Sequence, residues 1–315
     1  MNAVTGSRIS GLGGYRPRRT VTNEEIAARA PVTVDWIETR TGIRTRGHAG
    51  DGESVVEMGE HAARAALRDA GVAPDEVDLV ILATQTMLRP IPSGAPELAA
   101  RLGCRTAGAY DLNAACAGLT YGIAAASDAV RLGHARHVLV VGSERLTDWT
   151  TPQIQDVYAL LADGAGAVVV SPSDRPDIGP AVWGSAGEHR EALWVPEDGE
   201  HIAMQGRQVF KWTLDHMPTA ARRACEAAGV ELSDVTWLVL HQANRRIIDA
   251  IAAELKFEPD QVARDVVDSG NTSTASIPLA LCRLREEGRV RPGDRALFLG
   301  FGAGLTYAGQ VVTLY

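Results

Sequence analysis

One helix–strand pattern occurs twice in this chain, first as AARAALRDAGVAPDEVDLVILATQT at residues 62–86 and again as AARRACEAAGVELSDVTWLVLHQAN at residues 220–244. Each copy reads as an amphipathic helix ended by a glycine and followed by a short apolar strand. The copies align without a gap at an offset of 158 residues, which takes Gly71 to Gly229. A constant spacing of this kind indicates a duplicated structural unit.

The same offset continues downstream of the repeated pattern. It takes the apolar stretch HVLVVG, residues 137–142, to RALFLG, residues 295–300. Alternating helices and apolar strands predict an α/β protein with mixed sheets covered by helices. We therefore expect two pseudo-twofold-related halves, residues 1–172 and 173–315.

The offset also predicts what lies at the pseudo-twofold centre. Cys116 corresponds to Thr274, and Asn113 to Asn271. Cys116 opens a helix of small residues, AGLTYGIAAASDAVRLG, and Thr274 opens the corresponding helix, ASIPLALCRLREEG. Small side chains allow close approach of backbones, so these two helices are predicted to be buried in the middle of the fold.

Composition excludes several classes of function. With 315 residues and 45% hydrophobic content the chain is of ordinary globular type, and its net charge of −8 argues against a nucleic-acid partner. It contains no apolar run of about 20 residues and no signal-like N-terminus, so we expect no membrane span. The four cysteines show no CxxC spacing, which favours reduced thiols in a cytoplasm and gives no metal-binding pattern.

Cys116 lies among small residues in the stretch YDLNAACAGLTYG, residues 110–122. A free cysteine is most often a small buried hydrophobe without reactivity. At the N-terminus of a helix, however, the helix dipole lowers the pKa of a thiol, and the free amide there can bind an oxyanion. The sequence thus leaves two interpretations of Cys116, a core residue or a nucleophile.

Two polar residues of the second half are candidates for the same site. His241 ends the repeated strand, and Asn271 precedes the second central helix in SGNTSTAS. Strand ends on one side of a sheet can bring both to Cys116. Taken alone, His241 could be a satisfied buried histidine and Asn271 a helix cap.

Four stretches together resemble β-ketoacyl-ACP synthase III, a condensing enzyme of the thiolase superfamily. They are DLNAACAGLTYG, VLHQANRRII, SGNTSTASIPLAL and FGAGLTYAG. The blocks WIETRTGIRTR and LADGAGAVVV, at residues 36–46 and 161–170, resemble it as well. The resemblance covers nearly the whole chain and implies the duplicated thiolase fold.

The resemblance also implies a reaction. Cys116 takes an acyl group from acyl-CoA, and the backbone amides of Cys116 and Ala303 hold the oxyanion. His241 and Asn271 then donate hydrogen bonds to the thioester oxygen of malonyl-ACP while CO2 leaves. Phe301 forms an apolar wall that disfavours the carboxylate. The product is 3-oxoacyl-ACP, and the reaction requires no cofactor and no metal.

Contacts to coenzyme A are carried over in the same way. Trp36 and Arg40 match the pair of residues that sandwiches the adenine in the family. Such a pair is physically reasonable, because Arg stacks well on aromatic rings. Gly206 and Asn244 match contacts to the pantetheine arm.

A basic patch for the CoA phosphates or the acidic carrier protein is expected at Arg246 and Lys211. The segment DWTTPQIQDVY, residues 148–158, lacks the Arg that the family places near the CoA entrance.

A further departure concerns the acyl pocket and the alternatives for function. Ile91 stands where the family often has Phe. In the family's homodimer, this residue comes from the partner subunit and forms the floor of the acyl pocket. This smaller, branched side chain predicts a roomier or differently shaped pocket for which acetyl-CoA is not the best primer, as in a polyketide starter-unit paralogue. The alternative is an acyltransferase of the same fold that moves the acyl group to an alcohol or amine without condensation.

Overall fold

The structure of the chain, a computed structural model, describes residues 6–197 and 199–315. Two large sheets and two short two-stranded sheets form within these residues. The strands are β1 (Gly6–Tyr15), β2 (Arg19–Thr22), β3 (Thr45–His48), β4 (Leu79–Ala83), β5 (Gly108–Leu112), β6 (Val138–Arg145), β7 (Asp163–Ser173), β8 (Val182–Ser185), β9 (Leu193–Trp194), β10 (Ala203–Met204), β11 (Trp237–Leu240), β12 (Arg295–Gly302) and β13 (Thr306–Thr313).

The first large sheet has the strand order β1-β7-β6-β4-β5. Strand β4 runs parallel to both β5 and β6, whereas β7 runs antiparallel to β6 and β1. The second large sheet has the order β11-β12-β13-β8, with β11 parallel to β12 and the other two pairs antiparallel. Both sheets are therefore mixed, as the sequence predicts.

Helices cover and separate the sheets. They are α1 (Asn23–Ala27), α2 (Val34–Thr41), α3 (Val55–Ala70), α4 (Gly94–Leu102), α5 (Gly118–Arg131), α6 (Gln155–Tyr158), α7 (Gly206–Ala228), α8 (Arg245–Leu255), α9 (Val266–Ser269) and α10 (Ser276–Glu286). The described residues form no helix with the length and apolar character to cross a bilayer.

Helices α5 and α10 are the two central helices that the repeat predicts. Each contacts strands of both large sheets. Their inner faces are made of small and aliphatic side chains that are fully buried, and Gly118 at the start of α5 lies against Thr274. The predicted duplicated α/β fold with buried central helices is confirmed.

The offset of 158 residues is kept in the backbone at this centre. A single 3-10 turn precedes each central helix, at Ala115–Ala117 and at Ser273–Ala275. Each turn begins with a residue in the left-handed region, Ala115 at φ 45° and Ser273 at φ 49°. Cys116 and Thr274 are the middle residues of these turns, so their predicted equivalence is confirmed.

The halves differ on one side of the sheets. In the first half, β5 leads to the turn, whereas in the second half the short helix α9 leads to it. Only an isolated bridge between Leu238 and Val262 stands where the first half has β5. The division into domains 1–172 and 173–315 stays a prediction; the first large sheet ends at Ser173, and a bridge between Leu161 and Asn271 joins the two parts.

Candidate active site

Cys116 lies at the centre of the molecule, between the end of β5 and the start of α5. Its exposed fraction is 7%. Gly302, the last residue of β12, packs directly against it: a Cβ added to this glycine would lie 2.7 Å from the Cys116 nitrogen and 3.1 Å from Sγ. The second half therefore approaches the sulfur through a residue without a side chain, and even a methyl group would not fit at this contact.

The expected lowering of the Cys116 pKa by the helix dipole is wrong for this structure. Burial raises the pKa of the thiol to about 12. The Ser273 hydroxyl, the Gln85 amide and the Cys116 N–H each stabilise the thiolate, and the charge of Glu144 opposes them. Because α5 begins only at Gly118, and burial outweighs the favourable groups, the resting thiol is protonated at neutral pH.

His241 follows β11 and is held by its backbone and by its ring. Its N–H donates to the Leu299 carbonyl at 2.7 Å, and its Nδ1 lies 2.8 Å from the Ser276 hydroxyl. The Phe301 ring meets the imidazole edge-on, with centroids 5.2 Å apart. Burial lowers the pKa of His241 to about 3. The imidazole is therefore neutral at physiological pH, as expected for a hydrogen-bond donor.

Asn271 is fixed by its own turn. Its Oδ1 accepts the Ser273 N–H at 2.9 Å, and its backbone bonds to Leu160 and Ala162 at 3.0 and 2.9 Å. Since Oδ1 is the acceptor here, Nδ2 is the atom turned the other way. Within the described chain, no hydrogen bond to a protein group involves Nδ2. The same side chain thus caps the turn and presents an amide donor.

These residues line one cavity of about 770 Å³. Cys116, His241 and Asn271 share it with Phe301 and Ala303. The structure therefore brings together the predicted nucleophile, the two predicted donors, the predicted apolar wall and the second predicted oxyanion amide. In the described part of the chain, no group of His, Cys, Asp and Glu side chains could hold a metal ion.

Glu144 is a buried carboxylate of this centre that sequence reasoning missed. It ends the buried part of β6 and accepts five hydrogen bonds from the side chains or backbone of Thr84, Gln85, Thr86, Ser273 and Thr274, at 2.6–3.2 Å. Burial raises its pKa, and these donors oppose the rise. The group ties the Ser273–Ala275 turn to the end of β4. The repeat offset gives no signal for this residue, because its equivalent in the second half is Gly302.

The predicted CoA residues line the mouth of the cavity. Trp36, Arg40, Gly206, Asn244 and Arg246 all contribute to its lining. The Arg40 guanidinium lies 6.0 Å from the Trp36 ring centroid. Asn244 caps α8 by accepting the Arg246 N–H at 2.8 Å and donates to the Arg40 carbonyl at 3.0 Å. The side chain of Asn244 therefore has a structural task at the mouth in addition to its predicted contact.

Further residues of the mouth were not predicted. Trp149, Trp194, Arg207 and Phe210 also line the cavity. The Arg246 guanidinium lies 5.6 Å from the Phe210 ring centroid. Arg207 follows Gly206 directly and supplies a charge at a mouth whose segment 148–158 lacks an Arg. The Trp149 Nε1 is buried without a hydrogen-bond partner among the described residues.

Two predicted residues do not line this cavity in the single chain. Lys211 is exposed and forms an ion pair with Asp215 on the next turn of α7, so its charge is partly neutralised away from the mouth. Ile91 is 83% exposed, in a loop next to Leu88, which is also exposed. The predicted role of Ile91 in the acyl pocket of a partner subunit stays a prediction.

Known proteins resemble the chain over its whole length. The family described as 3-oxoacyl-[acyl-carrier-protein (ACP)] synthase III matches residues 110–187, and its C-terminal part matches residues 225–314. The chain is 46% identical over 313 residues to beta-ketoacyl-[acyl-carrier-protein] synthase III 4 of Streptomyces coelicolor, covering 98% of both.

Solved structures agree with this match. The priming β-ketosynthase from the R1128 polyketide biosynthetic pathway superposes with a TM-score of 0.96 at 44% identity, covering 100% of this chain and 98% of that one. The 3-oxoacyl-[acyl-carrier-protein] synthase III of Aquifex aeolicus gives 0.94 at 36% identity, covering 98% and 100%. The chain, with its duplicated thiolase-like fold and shared cavity, therefore belongs to the 3-oxoacyl-[acyl-carrier-protein] synthase III family and is an enzyme of the β-ketoacyl-ACP synthase III type.

Proposed function

We propose that this enzyme condenses an acyl-CoA starter with malonyl-ACP, with loss of CO2, and so begins a fatty-acid or polyketide chain. One observation carries the proposal: the Cys116 thiol shares a cavity with a neutral imidazole and a free amide donor, from His241 and Asn271. Decarboxylation of a malonyl thioester places negative charge on the thioester oxygen. Preorganised donors at that oxygen stabilise the transition state.

The first half-reaction loads the enzyme. The Cys116 sulfur bonds to the thioester carbon of acyl-CoA, the bond from that carbon to the CoA sulfur breaks, and CoA leaves as a thiol with the proton from Cys116. The backbone N–H groups of Cys116 and Ala303 bind the oxyanion of the intermediate. Because burial keeps the resting thiol protonated, its proton is lost as the substrate reacts.

The second half-reaction forms the carbon–carbon bond. The thioester oxygen of malonyl-ACP accepts hydrogen bonds from His241 and Asn271, CO2 leaves, and the bonding electrons remain as an enolate. The enolate carbon attacks the acyl carbonyl, the bond from that carbon to the Cys116 sulfur breaks, and the thiolate takes up a proton from water. Phe301, edge-on to His241, keeps the surroundings of the carboxylate apolar. These steps balance without a cofactor or a metal, and we propose that none is used.

The mouth of the cavity suits coenzyme A. Trp36 and Arg40 would hold the adenine, and Gly206 and Asn244 would contact the pantetheine arm. Arg246 would meet the phosphates or the acidic carrier protein, together with Arg207, which was not predicted.

We further propose that the enzyme is a cytoplasmic homodimer. Exposed apolar side chains at Leu88, Ile91 and Tyr110 support a partner surface, and Tyr110 lies on β5, an edge strand of the first sheet. In the dimer, Ile91 of each chain would shape the acyl pocket of the other. The four cysteines are free and buried, which fits a reducing compartment.

The test is intact-protein mass spectrometry with a panel of acyl-CoAs, followed by a chase with malonyl-ACP. We expect an acyl adduct on Cys116 that disappears as 3-oxoacyl-ACP forms, and the best-loaded acyl group identifies the starter. Cys116→Ala should abolish loading, whereas His241→Ala and Asn271→Ala should load but not condense. An adduct that persists with malonyl-ACP and clears with small alcohols or amines would establish the acyltransferase alternative instead.

A further inference from the structure

The His241 ring contacts a serine that the reaction as written does not use. Ser276 is the first residue of α10 and is 1% exposed. Its Oγ lies 2.8 Å from His241 Nδ1 and accepts the Gln242 N–H at 3.2 Å. The distance to Nδ1 alone does not tell which of the two groups donates, because a neutral imidazole carries its hydrogen on either nitrogen.

The requirement that buried polar groups be satisfied settles the direction. The Ser276 oxygen already accepts from Gln242, and its hydroxyl hydrogen needs an acceptor of its own. Within the described residues, His241 Nδ1 is the remaining hydrogen-bond partner of this hydroxyl. If Nδ1 carried the hydrogen instead, the Ser276 hydroxyl hydrogen would be buried without an acceptor, which is costly. The fully satisfied arrangement has Ser276 donating to Nδ1.

We propose that Ser276 is a positioning residue that holds His241 in the tautomer with its hydrogen on Nε2. Because Nδ1 is turned towards Ser276, Nε2 is the nitrogen left to face the cavity. The cavity then receives two fixed donors, His241 Nε2–H and Asn271 Nδ2–H. In this tautomer neither group offers a lone pair to take the Cys116 proton, so His241 serves the second half-reaction and not the first. The catalytic consequence rests on the proposed function; the tautomer does not.

The tautomer can be measured on the unmodified enzyme. Protein labelled with ¹⁵N-histidine is studied by NMR at neutral pH, and the His241 signals are assigned by their loss in His241→Gln. We expect Nε2 to show the shift of a protonated ring nitrogen and Nδ1 that of an unprotonated acceptor. The reverse pattern, or averaged shifts from exchanging tautomers, would overturn the proposal. The tautomer is read from the wild-type protein, and His241→Gln serves only to assign the signals.

A variant series tests the consequence for catalysis. In Ser276→Ala, we expect Cys116 loading by acyl-CoA to be within about threefold of wild type, and decarboxylation of malonyl-ACP to fall by roughly tenfold or more, because the His241 tautomer is no longer fixed. Ser276→Thr keeps the hydroxyl and should restore most of the decarboxylation. Ser127→Ala is the matched control, since Ser127 is a buried serine of α5 that hydrogen-bonds to Ser7 Oγ at 2.7 Å.

The outcomes separate this inference from the proposed function. Equal losses of loading and decarboxylation in Ser276→Ala would show a merely structural role and refute a positioning role. An enzyme that shows the expected tautomer but never decarboxylates malonyl-ACP would refute the proposed function and leave the Ser276 assignment standing.

Discussion

Replacing Gly302 with alanine places one methyl group against the nucleophile. The added Cβ would lie 2.7 Å from the Cys116 nitrogen, 2.9 Å from its Cβ and 3.1 Å from its Sγ. Non-bonded carbon atoms pack at about 3.5–4.0 Å, so Cys116 or the end of β12 has to shift by roughly 0.5–1 Å. The nearest atom is the main-chain nitrogen of Cys116, and the Cys116 Cβ is fixed to the same backbone, so neither side of the contact yields easily.

The expected effect follows from what the methyl group covers. The Cys116 N–H is one of the two proposed oxyanion donors, and removing one such donor lowers a rate by about 10²–10³-fold. We therefore expect loading of Gly302→Ala by acyl-CoA to slow by about 100-fold or more. Overpacking of this kind also lowers the free energy of unfolding, by about 1–3 kcal/mol.

The assay is the time course of the Cys116 adduct by intact-protein mass spectrometry, with chemical denaturation for stability. Gly59→Ala is the matched control, because a Cβ there would meet Val141 at an ordinary 3.4 Å inside helix α3. It should load at the wild-type rate and keep or slightly gain stability. A folded Gly302→Ala enzyme that loads within threefold of wild type would refute the assignment of the Cys116 amide as an oxyanion donor.

Three further predictions concern buried titratable groups. Alkylation of Cys116 by iodoacetamide should rise about tenfold per pH unit from pH 6 to 10, because the thiol pKa is about 12; a plateau near pH 7 would contradict this. The His241 pKa of about 3 lies below the unfolded value of about 6.5, so the unfolded chain binds the extra proton and stability falls as pH drops from 6 to 4. His241→Gln should lessen this slope by roughly 1 kcal/mol per pH unit in denaturation experiments, and an unchanged slope would show that His241 is already protonated. Glu144→Gln should lose roughly 1–3 kcal/mol of stability, because its amide nitrogen would face hydrogen-bond donors. Cys116 of this variant should nevertheless be alkylated faster at pH 8, because a nearby negative charge is gone. Slower alkylation would argue against that charge effect.

The fold and the catalytic centre were predictable because both follow from the local helix–strand pattern and from one fixed offset between the two copies. The offset of 158 residues pairs Cys116 with Thr274 and Asn113 with Asn271. The backbone of the two turns repeats even in the left-handed φ of Ala115 and Ser273. His241 was predictable because it ends a repeated strand.

The pKa of Cys116 and the mouth of the cavity were not predictable in the same way. The helix dipole is a local property that sequence reveals, but the burial that overrides it depends on elements far apart in the chain. Trp149 ends a short 3-10 helix and Trp194 ends the two-residue strand β9, and elements this short have no periodicity to identify them. Glu144 has an equivalent in the other half, but that equivalent is a glycine, so side-chain comparison of the copies shows no match.

The difference between Glu144 and its equivalent Gly302 determines where the cavity lies. The molecule contains the same turn twice. At Thr274, the Glu144 side chain fills the space in front of the turn and accepts a hydrogen bond from the Thr274 hydroxyl. At Cys116 the corresponding strand position is Gly302, which has no side chain to occupy the cavity that Cys116 lines. The catalytic cavity therefore lies at the open copy of a turn that Glu144 closes in the other half. The closed copy forms a rigid wall of the cavity.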